Sequence, residues 1–131
     1  MKSRDHIVRL KRFQVEERRR RVQQIEYMIA DFNRMATDLD REITTEETRS
    51  GITDPSHFAY PTYARAAATR RDNLKRSADE LKGQMAEARS NLEAAVDEFK
   101  KAESLDGRDK NAERAAAARS EPDFPLSLAG A

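Results

Sequence analysis

The sequence predicts an all-α fold: a long antiparallel two-helix coiled-coil hairpin with a short irregular loop and a disordered C-terminal tail. Two apolar ladders and one break carry the prediction. The first ladder runs Val8, Val15, Val22, Ile29, Ala36 and Ile43, one heptad per step, with Ile25, Phe32 and Leu39 interleaved. The second runs Ala78, Met85, Leu92 and Phe99, interleaved with Leu74, Leu81, Ala88, Ala95 and Ala102. Such spacing keeps one face of a helix apolar and gives the a/d seam of a coiled coil. The break, residues 51–61, holds Gly51, Pro55 and Pro61, which no continuous helix tolerates. Hydrophobic and charged residues each make up 37% of the chain, and the mean hydropathy is −0.94. That is too polar for a thick globular core, but a two-helix seam needs apolar residues at only about two positions in seven.

Each element follows from local chemistry. Helix 1 is expected over about 3–49, with Ser3 as a cap and Gly51 just past its end, where a left-handed residue closes a helix. The loop spans about 50–62. In it Asp54-Pro55 can start a short helical turn through Phe58, and Pro61 forces Tyr60 toward extended geometry. Thr62 caps helix 2, expected over about 63–105 with a frayed extension to 119, since Gly107 loosens it. The hairpin thus fills 1–119, and residues 120–131, with Pro122 and Pro125, form the tail. Folded back antiparallel, helices of ~44 residues, each ~65 Å long, bring Val8 near Ala102 and Ile43 near Ala67. Phe32 and Leu39 then face Leu74 and Ala78. The seam residues are therefore Val8, Val15, Val22, Ile25, Ile29, Phe32, Leu39, Ile43, Leu74, Leu81, Met85, Leu92 and Phe99. Acid-first pairs four residues apart (Glu16–Arg20, Glu17–Arg21, Asp72–Arg76, Asp97–Lys101) support the exposed faces. Lys11 and Arg18 at d and Arg71 at a, with repeated alanine in helix 2, make the seam marginal and its terminal pole prone to fray.

Charge is polarised although the net is only +1. Residues 1–21 hold nine basic and three acidic side chains, whereas residues 22–50 hold three basic and seven acidic. The run Arg18–Arg21 invites a nucleic-acid reading, but Glu16 and Glu17 offset it and consecutive residues point around a helix. An acidic protein surface suits the basic pole better. No cysteine is present, so thiolate zinc sites and cysteine nucleophiles are excluded. His6 and His57 lie far apart in the sequence, and no Gly-rich phosphate loop occurs. We expect no catalysis, no cofactor and no metal. No stretch reaches the roughly 20 apolar residues of a membrane span, and no signal-peptide core follows Met1. Phe58, Tyr60 and Tyr63 cluster in and beside the break, and two accounts of them stand: they seal the hairpin end, or they offer an apolar patch to a partner.

The opening His6-Ile7-Val8-Arg9-Leu10-Lys11-Arg12-Phe13, the two-helix layout and the passage Phe58-Ala59-Tyr60-Pro61-Thr62-Tyr63 resemble the FliJ family of flagellar type III export proteins in its alphaproteobacterial form. The resemblance covers roughly residues 1–108. It implies a cytoplasmic, non-enzymatic coiled coil, peripheral at the inner face of the cell membrane and serving flagellum biogenesis, protein transport and motility. The family acts as a stalk that engages the hexameric flagellar export ATPase, contacts an export-gate membrane protein and handles export chaperones. Carried onto this chain, the ATPase-ring contact falls on Leu10, Phe13, Arg18, Arg19, Arg20 and Arg21, with Lys100, Lys101, Glu103 and Leu105 opposite. The export-gate contact falls on Phe58, Tyr60 and Tyr63. Beyond Leu105 the chain departs from the family, with Gly107 and a proline-bearing tail where a longer charged helix is expected. The resemblance implies neither nucleic-acid binding nor membrane insertion. The rival readings are a generic coiled coil that homodimerises and a nucleic-acid-binding helical protein.

Overall fold

A computed structural model describes residues 2–120, with the side chains of residues 4–119. The architecture is all-α: α1 runs Lys2–Ser50 and α2 runs Thr62–Ser120, packed antiparallel, with no strand among the described residues. Ser120 ends α2, the rest of the expected tail lies outside the described residues, and so does the side chain of Ser3. No helix here is long and apolar enough to cross a membrane among the described residues. The described residues divide into two compact units, one of residues 18–91 and one of residues 2–17 with 92–120.

The unit of residues 18–91 holds the loop. Its seam is apolar, with Val22, Ile25, Ala36, Leu39 and Ile43 of α1 buried and with Ala64, Ala67, Ala78, Leu81, Met85 and Ala88 of α2 buried. Ile29, Phe32 and Leu74 are half-buried on the same seam. α1 supplies the bulk and α2 mostly alanine, so large side chains meet small ones across the interface. Ile25, 1% exposed, is the largest side chain wholly withdrawn from water. At the loop end Leu39, Ile43, Tyr60, Ala64 and Ala67 form one cluster, with Ile52 and Leu74 against it. Arg71, a charge in the seam, is satisfied by two carboxylates: it donates to Asp40 at 2.9 Å and to Asp72 at 3.1 Å. These two bonds push its pKa above the usual guanidinium value. Asp72 thus bonds Arg71, while Arg76 donates to Asn73 at 3.4 Å.

The break works through backbone chemistry. Gly51 takes φ 72°, and its N–H donates to the Glu47 carbonyl at 2.9 Å, closing α1 in the left-handed region that glycine enters without steric cost. The following segment is a chain of turns rather than the short helical turn that Asp54-Pro55 allows. The Asp54 carboxylate accepts from the Ser56 N–H at 3.0 Å and the Ser56 hydroxyl at 2.8 Å. The first of these bonds, chiefly, holds its pKa below the usual carboxylate value. α2 opens with the Arg65 N–H donating to the Pro61 carbonyl at 3.1 Å.

The terminal unit is held differently. Val15, Ala95 and Ala102 are buried, whereas Val8, Leu92 and Phe99 are half-buried. Ions carry much of the remainder: Arg4 pairs with Asp109, Lys11 with Glu98 at 2.9 Å, and Lys110 with both Asp106 at 3.0 Å and Asp5 at 3.4 Å. The Arg12 guanidinium lies 5.4 Å from the Phe99 ring centroid, a cation–π contact. α2 passes Gly107 without interruption, and every residue from 111 to 119 is exposed. Alanines 115–118 suit an exposed stretch of helix, because alanine has the highest intrinsic helix propensity.

Candidate partner-binding surfaces

Two surfaces, one in each unit, present the chemistry that a partner can use. In the terminal unit Ile7 is 47% exposed, Leu10 53%, Phe13 50% and Leu105 41%. Large apolar side chains left half in water stand out on a chain whose other exposed positions are mostly charged. Ile7 and Leu105 each precede a seam position by one residue, which puts them on a flank of the helix pair. They share that flank: Lys11 reaches across to Glu98, Leu105 lies one heptad after Glu98, and Ile7 lies one turn before Lys11. Leu10 and Phe13 extend the patch outward along α1 at spacings of three. The other flank is ionic, a groove of about 420 Å³ lined by Asp5, Arg9, Arg12, Glu103, Asp106 and Lys110, with Val8 and Gly107 at its base. There the Asp106 carboxylate raises the Lys110 pKa, aided by Asp5, and Asp106 itself is buried with one oxygen lacking a hydrogen-bond partner. On the apolar flank the hydrogen bond from Lys11 holds the Glu98 pKa below its usual value.

The residues assigned to a ring contact thus divide. Leu10, Phe13 and Leu105 form one patch, and Lys100, Lys101 and Glu103 are exposed in the same unit. Arg18, Arg19, Arg20 and Arg21 belong to the other unit, all exposed, on successive positions that point around α1. Ile7 went unassigned, although its place one residue before Val8 was the available signal. Asp106 was missed as well: it occupies the heptad step after Phe99, where the apolar ladder ends and the burial does not.

In the loop the three aromatics have separate fates. Tyr60 is 6% exposed, inside the core cluster, with the Arg65 guanidinium 5.5 Å from its ring centroid. Tyr63 is 54% exposed and donates its hydroxyl to Glu42 at 2.8 Å, a bond to a carboxylate that pushes the phenol pKa up. Phe58 is 95% exposed and stacks on His57, with ring centroids 4.7 Å apart. His57 is fixed in turn: its Nδ1 accepts from the Ala59 N–H at 3.0 Å, its backbone N–H donates to the Asp54 backbone carbonyl, and its own carbonyl accepts from the Tyr60 N–H. Tyr60 therefore seals the end of the hairpin, and Phe58 is presented to solvent on an ordered turn. A third apolar feature, Tyr27 with Met28 and Met35, is exposed along α1 in the same unit. Met28 and Met35 precede the seam residues Ile29 and Ala36 by one position, as Ile7 precedes Val8.

No group of three or more His, Cys, Asp or Glu side chains able to hold a metal occurs among the described residues. The two surfaces offer apolar anchors with charged borders, which is the chemistry of protein recognition. Compared with protein families, curated proteins and solved structures, the chain has no match.

Proposed function

We propose that the chain is a non-catalytic central-stalk and coupling protein of the flagellar type III export apparatus, as its resemblance to the FliJ family implies. In this reading the terminal unit engages the hexameric export ATPase through Leu10, Phe13 and Leu105, with Lys100, Lys101 and Glu103 of the same unit. Arg18 to Arg21 add an electrostatic contact. The loop engages the export-gate membrane protein through Phe58, with Tyr63 beside it, and export chaperones are further partners. The protein then works in the cytoplasm at the inner face of the membrane. The observation that carries the reading is the exposed apolar patch Leu10, Phe13 and Leu105 on antiparallel helices. Coupling needs differential binding: a stalk that touches the subunits of a ring unequally biases their conformations without supplying a catalytic group.

A deletion strain tests this in the cell. It should lose motility and the secretion of flagellar subunits, and normal motility would contradict the export reading. Reversing Arg18–Arg21 to glutamate should weaken ATPase binding by about tenfold or more at low salt, because such contacts act mainly through steering and charge complementarity. Unchanged binding would remove the arginines from the contact.

A second reading rests on Tyr27, Met28 and Met35: a coiled coil that homodimerises along α1, with methionine as the adaptable packing residue. Sedimentation equilibrium decides, since this reading expects a dimer that Met28→Ser/Met35→Ser dissociates.

A further inference from the structure

The apolar flank of the terminal unit has more to say about its partner. We propose that the flank formed by Ile7, Leu10, Phe13 and Leu105 is the seat of an amphipathic helix from another protein, one whose apolar face is bordered by acidic residues. This deepens the terminal contact assigned above and rests on that reading only for the partner's identity.

Size argues for a helix. Four side chains, each about half exposed, fall far short of the roughly 800 Å² and 20–30 residues a side of a stable protein interface. They match the three or four anchors by which one amphipathic helix lies along another surface. The geometry agrees, because the patch runs along α1 in steps of three and crosses to α2 at Leu105.

Charge argues for acid. Lys101 and Arg108 lie one turn before and one turn after Leu105. Lys101 and Arg108 are exposed and make no ion pair with a described residue, so their charges are available to a partner. The acids of this rim are partly spoken for or stand to one side: Glu98 is bonded to Lys11, and Glu16 and Glu17 close only the end beyond Phe13. A second copy of the chain seated face to face would set these cations against their own kind. An anionic membrane would have to accept a unit whose described residues carry eleven basic and ten acidic side chains.

The test uses the full chain, labelled with ¹⁵N, and two synthetic helical peptides. Both carry leucine at i, i+3, i+4 and i+7, one flanked by glutamate and the other by lysine. The proposal expects the glutamate peptide to shift the amides around Ile7, Leu10, Phe13 and Leu105 and to bind at least about tenfold more tightly than the lysine peptide. It also expects this affinity to fall as salt is raised. Leu10→Ser/Phe13→Ser should abolish binding with the melting temperature unchanged, since both side chains are half in water already. Lys101→Gln/Arg108→Gln should narrow the difference between the peptides. Equal binding of the two peptides, shifts outside the patch, or undiminished binding by the serine variant would overturn the proposal. So would self-association through the patch, or retention on phosphatidylserine vesicles with no response to the peptide. Peptide binding without stimulation of the export ATPase would leave this inference standing and remove the flagellar reading, and the reverse result would do the opposite.

Discussion

At the residue scale the most informative side chain is Asp106, a carboxylate buried at a seam position with one oxygen unpartnered. Buried ions recover their desolvation cost only with complete partners, and apolar replacements of similar volume are often stabilising. Asp106→Leu should raise the stability of the terminal unit by about 1–2 kcal/mol, read as a higher melting temperature and slower amide exchange near Ala102. A lower melting temperature would mean that the Lys110 pair outweighs the buried charge. Ile25, 1% exposed, marks the opposite case, and Ile25→Ala should cost about 2–5 kcal/mol by cavity formation. Glu98 and Lys110 set the pH dependence. The folded pKa of Glu98 is lowered by Lys11, so its contribution is present above the ordinary carboxylate value of about 4.3 and is lost as pH falls through the folded value. The pKa of Lys110 is raised by Asp106, so its contribution is present below about 10.4 and is lost as pH rises through the folded value. Amide protection in the terminal unit, taken relative to the intrinsic exchange rate at each pH, should therefore fall toward both extremes, and Lys11→Met should remove the acid limb.

At the element scale, what was legible in the sequence was what periodicity and glycine chemistry encode. The heptads from Val8 to Ile43 and from Leu74 to Ala102 place the seam because side-chain direction on a helix is set by spacing alone. Gly51 marks the end of α1 because only glycine takes φ 72° there without strain, so Gly51→Ala should cost about 1 kcal/mol or more. The loop was less legible. Its course depends on side-chain bonds from Asp54 and His57 to nearby backbone, and no periodicity announces those. Gly107 misled for a related reason. A glycine inside a helix costs only about 1 kcal/mol relative to alanine, and the Asp106–Lys110 ion pair spans it, with the Arg4–Asp109 pair just beyond. The separate fates of Phe58 and Tyr60 were beyond the sequence as well, since which aromatic turns inward follows from the turn geometry. Residues 111–119, exposed on every side, should exchange their amides much faster than α2 residues from 62 to 105.

At the scale of the whole molecule, the two units rest on different physics. Apolar packing holds residues 18–91, and ion pairs carry much of the terminal unit. Raising sodium chloride to about 1 M, where the screening length is about 3 Å, should loosen the terminal unit while residues 18–91 keep their protection. A uniform response would contradict that division. The same difference bears on function, for the partner surface at the terminal unit is carried by a scaffold sensitive to salt and acid, whereas Phe58 stands on an apolar one. The measurement that tests the central claim most directly is the ATPase rate of the hexameric flagellar export ATPase, titrated with the purified full chain. The account predicts saturable stimulation that Leu10→Ser/Phe13→Ser weakens while its melting temperature stays unchanged. No stimulation, with the ATPase shown to be hexameric and the chain folded, would contradict it.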